Sequence, residues 1–287
     1  MQRGLSKQHI YTFLLLAFAL SWPFLIYGFG WYGAEEAVLN RYLFACLGML
    51  MVAVSAFITR AFFERKGFGD VGWNLGHTSW YLAGLLLCIS LWLGPPIFAL
   101  VFGKLSWHQS LSRDEITVII LSLAGFSLLA GFGEEFGWRG YLIPRMLTER
   151  KHSREVLVLI GLVWGVWHCA VNIGPLFKMI VEGEAGWVSS LMPTLFHCLQ
   201  SIAVSVALSL IFGAVWLKGR SILLSSFLHG YWIGLRDSAS LLFSYPAIFR
   251  VVTLVAILIA WFIAYRWLEK FESQKGLLWA GNQELKK

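Results

Sequence analysis

Apolar runs about as long as a bilayer is thick recur along this sequence, and they leave the chain few folds to choose from. A helix rises about 1.5 Å per residue and the hydrocarbon core is about 30 Å thick, so about 20 apolar residues span it. Seven such runs lie at roughly 10–30, 40–62, 79–103, 116–147, 156–174, 193–217 and 247–268, and a shorter one lies at 221–235. Of the 287 residues, 58% are hydrophobic and only 14% charged, against about 25% charged in an ordinary soluble domain. A water-soluble fold has no place for that much apolar surface. The expected fold class is therefore all-α: a polytopic transmembrane helix bundle of about eight spans, with residues 1–287 forming a single integral membrane domain. The first run is too long for a signal-peptide core and lacks an A-x-A-like cleavage site, so it reads as a retained helix. Pro95-Pro96 should kink the third run rather than end it. The fourth is longer than a span and carries charges in its second half. The short run at 221–235 reads as a partial span sheltered by its neighbours.

The net charge of +7 does not point to nucleic acid, because the basic residues form no single patch. They alternate instead. Arg3 and Lys7; Arg60, Arg65 and Lys66; Arg145, Arg150, Lys151 and Arg154; Lys218 and Arg220; and Arg266, Lys270, Lys275, Lys286 and Lys287 occupy every second connection. The remaining connections hold only Arg41, Lys104, Arg113, Lys178, Arg236 and Arg250, a ratio of 16 to 6. By the positive-inside rule both termini face the cytoplasm. Cys46, Cys88, Cys169 and Cys198 all lie in apolar runs without CxxC or metal-like spacing, and read as small buried hydrophobes.

Ionisable groups inside a membrane cost several kcal/mol and need a reason to be there. The segment from Gly133 to Leu142 holds three. Glu135 and Arg139 stand four apart with the acid first, the favourable order for a helical ion pair, and read as a structural pair. Glu134 points about 100° away and lacks a local partner, which suits a general base. His168 and His229 are the next polar intruders. Counted along each helix, Glu134 lies roughly 16 Å from Arg145, His168 roughly 21 Å from Arg154 and His229 roughly 13 Å from Arg220. Residues on three helices thus share one slab, less than about 10 Å thick, in the cytoplasmic half. His197, roughly 31 Å from Lys218, falls outside it. A single intramembrane histidine can simply bond a neighbouring helix; two histidines and a free carboxylate at one depth point to a site.

These residues carry a resemblance. Glu134-Glu135-x-x-x-Arg139, the aromatic-x-x-x-His of Trp164 to His168, and His229 resemble the three signature motifs of the CPBP intramembrane proteases. That family includes the type II CAAX prenyl endopeptidases and the bacterial abortive-infection and bacteriocin-immunity proteins. The likeness covers a motif-bearing core of about residues 115–235. It implies an intramembrane endopeptidase, of the glutamate or metallo type, in which Glu134 activates a water assisted by His168 and His229, with Glu135 and Arg139 in support. Two positions depart from the pattern. Trp164 stands where the family usually has Phe. Ile233 stands where it has Asn or Asp, a residue thought to help hold the substrate carbonyl oxygen. Ile233 donates nothing, and one lost oxyanion donor costs a factor of about 10²–10³. Asn172, the nearest substitute, sits a turn too far outward.

Three readings follow. The leading one is metal-free peptide-bond hydrolysis; its metal variant places zinc on Glu134, His168 and His229 with an open fourth position, although no HExxH-type spacing supports it. The alternative, motivated by Ile233, is a catalytically weakened pseudoprotease that binds membrane proteins or assists their assembly. A transporter with a Glu/His proton relay is disfavoured by the lack of half-helices interrupted at matching positions. The expected partners are a peptide or membrane-protein substrate, prenylated ones included, and the lipid bilayer, with no nucleic acid. The expected location is a bacterial plasma membrane, with the site open toward the cytoplasm.

Overall fold

The computed structural model describes residues 2–32, 37–108, 110–149 and 152–284; Arg150, Lys151, Lys286 and Lys287 of the basic clusters lie outside these. The chain runs through α1 (Gln2–Trp31), α2 (Val38–Ile58) with a π-helical turn at Thr59–Glu64, α3 (Thr78–Trp92) and α4 (Gly94–Val101). It continues through α5 (Arg113–Leu123), α6 (Phe126–Glu135), a second π-helical turn (Phe136–Leu142) and α7 (Ile143–Glu149). The rest is α8 (Ser153–Val181), α9 (Trp187–Gly219), α10 (Ile222–Leu242) and α11 (Val251–Glu284). A two-residue antiparallel pair joins β1 (Ser106–Trp107) to β2 (Phe243–Ser244).

The all-α bundle is as the sequence requires. Among the described residues, five helices are long and apolar enough to cross a membrane, or seven when each of two bent pairs is taken as one span. α10 falls outside that group because Ser225, Ser226, His229, Arg236, Asp237 and Ser238 dilute its apolar character. It is nonetheless a continuous helix of 21 residues, longer than the run expected at 221–235. It tolerates its polar residues because α3, α5, α6 and α9 surround it. Arg236, expected in a connection, therefore lies within α10.

Breaks fall where the backbone chemistry places them. α3 and α4 meet at Leu93 with a 48° bend, just before Pro95-Pro96, as the prolines dictate. The run 116–147 is not one helix: α5 ends at Ala124, Gly125 takes φ +97°, and α6 leaves at 60° to α5. Only glycine adopts that conformation without strain. The two bent passes follow one another in the chain rather than occupying corresponding positions in two halves.

Polarity is distributed inside out. Glu134, Glu135, Arg139, His229 and several serines are buried, while Leu254, Leu258, Phe262, Leu195, Phe196 and Leu199 are exposed. An apolar exterior of that extent is stable only against lipid. Cys46, Cys88 and Cys169 are buried and Cys198 half-buried, all as free thiols.

One end of the bundle is laced by ion pairs that use the predicted basic clusters. Arg145 pairs with Glu64, which also accepts from the Tyr141 hydroxyl at 2.7 Å. Arg154 pairs with Glu272 at 2.8 Å and donates to Tyr265 at 3.0 Å. The β1–β2 pair closes the opposite end, with Trp107 edge-on to Phe243.

Candidate active site

Helix crossings bring the motif residues together, and small residues set the crossings. A Cβ on Gly131 would stand 2.7 Å from the Gly230 backbone nitrogen, and one on Gly230 would stand 2.7 Å from Leu128. α6 and α10 thus touch backbone to backbone, one turn from Glu134 and next to His229. α8 carries Trp164 and His168 and packs on α9 and α1.

Glu135, Arg139 and His229 form one buried cluster. Arg139 Nη1 donates to Glu135 Oε1 at 2.8 Å, the pair that the spacing of four predicts. The same oxygen receives His229 Nδ1, also at 2.8 Å, a contact between α6 and α10 that local spacing cannot announce. Since a carboxylate only accepts, Nδ1 carries the proton, and neutral His229 keeps its lone pair on Nε2. The Arg139 guanidinium lies over the rings of Trp164 (4.6 Å) and Phe212 (5.4 Å). Its Nε and Nη2 have no hydrogen-bond partner among the described residues.

Glu134 points elsewhere, as the 100° offset implies, but it is not without a partner. The Trp164 indole N–H donates to Glu134 Oε2. Oε1 is left for whatever enters the site. His168 Nδ1 donates to the Trp164 carbonyl at 3.0 Å, so Nε2 is its free nitrogen as well. Trp164 is buried and stands edge-on to both imidazoles, with centroids 5.1 Å from His168 and 5.6 Å from His229.

Glu134, His168 and His229 all line one cavity of about 550 Å³, within the range of about 300–1,000 Å³ typical of ligand sites. Its walls come from α1 (Leu25, Phe29), α2 (Tyr42, Met49), α8, α9 (Val204, Leu208) and α10. Glu135 and Arg139 stand behind the wall. Ile233, buried one turn from His229, lines the same cavity and presents methyl groups there. Arg41, Arg236 and Asp237 also line it, with Arg236 paired to Asp237 at 2.8 Å. Asn172 donates to Ser201 at 3.0 Å instead, and His197 is exposed, its ring beside that of Phe196. Among the described residues, no three His, Cys, Asp or Glu side chains are grouped closely enough to hold a metal ion.

The bundle is that of a polytopic membrane protein, and its polar residues converge on one buried cavity. Residues 116–235, which hold every motif position, match the family described as type II CAAX prenyl endopeptidase Rce1-like. That match bears out the resemblance drawn from the motifs, and at the level of the family it supports an intramembrane protease of the CAAX type. No curated protein matches the chain.

Proposed function

We propose that the chain is an intramembrane endopeptidase that cleaves peptide bonds with a water activated by Glu134. The observation that carries this reading is the placement of Glu134, His168 and His229 on three helices around one cavity inside an apolar bundle.

Each side chain is oriented for its part. A water between Glu134 Oε1 and His168 Nε2 gives one hydrogen to each acceptor, which fixes its lone pair toward the cavity. Glu134 takes a proton as the water oxygen bonds to the substrate carbonyl carbon, and the carbonyl oxygen becomes an oxyanion. With Nδ1–H committed to Glu135, His229 must enter the step already protonated, as the imidazolium, for its Nε2–H to donate to that oxyanion. Collapse breaks the C–N bond, and the proton passes from Glu134 or His229 to the leaving amine. We propose these steps without a metal; the variant that uses one would hold zinc on Glu134, His168 and His229. Metal analysis of the purified protein tests this: stoichiometric zinc that disappears in His168→Ala contradicts the metal-free mechanism.

The apolar walls fit a hydrophobic or lipid-bearing peptide, which agrees with a membrane-protein or prenylated substrate. We place the protein in a bacterial plasma membrane with both termini toward the cytoplasm, on the alternation of basic clusters. Arg41, Arg236 and Asp237 on the cavity wall favour an opening toward the opposite end rather than the cytoplasmic one expected from counting along the helices. The test is cleavage of a fluorogenic peptide panel, prenylated C-terminal peptides included, by wild type beside Glu134→Ala. Cleavage lost with that one carboxylate supports the reading, and cleavage retained sinks it.

Ile233 on the cavity wall favours a second reading, a weakened enzyme that serves as a membrane-protein binder. Ile233→Asn separates the two. A gain of about 10²-fold in turnover, the size of one oxyanion donor, marks a protease short of a donor. No gain over a background rate marks a binder.

A further inference from the structure

Trp164 does more than fill the place of an aromatic ring. It touches every ionisable motif residue except Glu135. Its indole N–H donates to Glu134, its ring underlies the Arg139 guanidinium, its carbonyl accepts from His168, and its edge meets His229. It is 1% exposed, so none of these contacts is shared with solvent.

The arrangement solves a problem that two adjacent carboxylates create. Arg139 has two nitrogens, Nε and Nη2, whose N–H groups have no acceptor among the described residues. A Glu134 free to rotate has every reason to join Glu135 on that guanidinium. As part of such an ion pair it would no longer face the cavity or take a proton from water. The tryptophan covers the guanidinium with its face and holds Glu134 with its edge. A phenylalanine does the first and cannot do the second.

We infer that Trp164 is a positioning residue that keeps Glu134 on the cavity wall by an indole hydrogen bond and separates it from the Glu135–Arg139 pair. The inference rests on the proposed role of Glu134 as base, and its consequence is specific. A charge-assisted hydrogen bond to a buried carboxylate is among the stronger single contacts a side chain makes. Removing the N–H while keeping the ring therefore lowers kcat by about 10- to 100-fold. KM stays unchanged, because Trp164 holds the base and not the peptide.

The experiment has two arms on the full-length protein in detergent. In the first, ¹⁵N-labelled tryptophan gives an indole resonance for Trp164, assigned by its absence in Trp164→Phe, and Glu134→Gln is expected to move it. In the second, kcat and KM are measured for wild type, Trp164→Phe and a protein carrying benzothienylalanine at position 164, which keeps the bicyclic shape and lacks the N–H. The benzothienyl variant guards against a Phe variant that fails to fold. A benzothienyl protein with wild-type kcat overturns the inference. So does an indole resonance that ignores Glu134→Gln, whether or not any peptide is cleaved. A responsive resonance beside background cleavage by wild type counts against the protease reading and leaves the Trp164–Glu134 contact standing.

Discussion

Glu134 and Glu135 are neighbours in the chain with different surroundings. Glu135 holds Arg139 and His229 in a closed cluster; Glu134 faces the cavity. Removing one partner of a buried ion pair leaves the other charge uncompensated, at a cost of about 3–5 kcal/mol. Glu135→Ala should therefore lower thermal stability markedly, while Glu134→Ala, which gives up one hydrogen bond, should lower it less and abolish cleavage. Thermal unfolding of both variants in one detergent checks this, and equal losses would contradict the division. The sequence showed the Glu135–Arg139 pair because both partners lie on one helix, four apart. It could not show Glu135 meeting His229, or Trp164 meeting Glu134, because those contacts cross from one helix to another over 94 and 30 residues. The departure from Phe to Trp at position 164 adds an N–H, and that N–H was the available signal.

The site exists because α6 and α10 approach without side chains between them. A Cβ at Gly131 would meet backbone atoms of Ser226 and Gly230, which cannot swing aside. Gly131→Ala should cost about 1–3 kcal/mol, the usual range for overpacking, and should lower cleavage by moving Glu134 away from His229. Gly67→Ala is the control: no heavy atom lies within 4 Å of the place its methyl group would take, so its effect should stay within about 0.5 kcal/mol. A neutral Gly131→Ala would show that the crossing is looser than the backbone contact implies. Element by element, long apolar runs announced α1, α2, α8, α9 and α11, and the prolines announced the bend at Leu93. The break at Gly125 was hidden, since one glycine in an apolar run is an ordinary occurrence until its φ is known. α10 was cut short because its second half is polar, and a polarity scale cannot see that its neighbours shelter it.

Across the described residues, much of the exterior is apolar, Glu134, Glu135, Arg139 and His229 are buried, and the Glu64–Arg145 and Arg154–Glu272 pairs lace one end. We propose, on the alternation of basic clusters, that this end faces the cytoplasm. Single-cysteine labelling tests the orientation in a background where Cys46, Cys88, Cys169 and Cys198 are alanine. Lys104→Cys should react with an impermeant maleimide on intact cells, and Lys66→Cys only after permeabilisation. The reverse pattern would turn the bundle over and open the site to the other side of the membrane. Fold class was legible because a bilayer imposes a length and an apolarity that composition reports directly. The shape of the cavity was not, because it is made from residues on helices far apart in the chain.

The most direct test of the account is the rate of peptide cleavage by purified wild type and Glu134→Ala, measured side by side on samples with matched folding. The account predicts measurable cleavage by wild type and a fall to background in the variant. Cleavage by Glu134→Ala at the wild-type rate would contradict it.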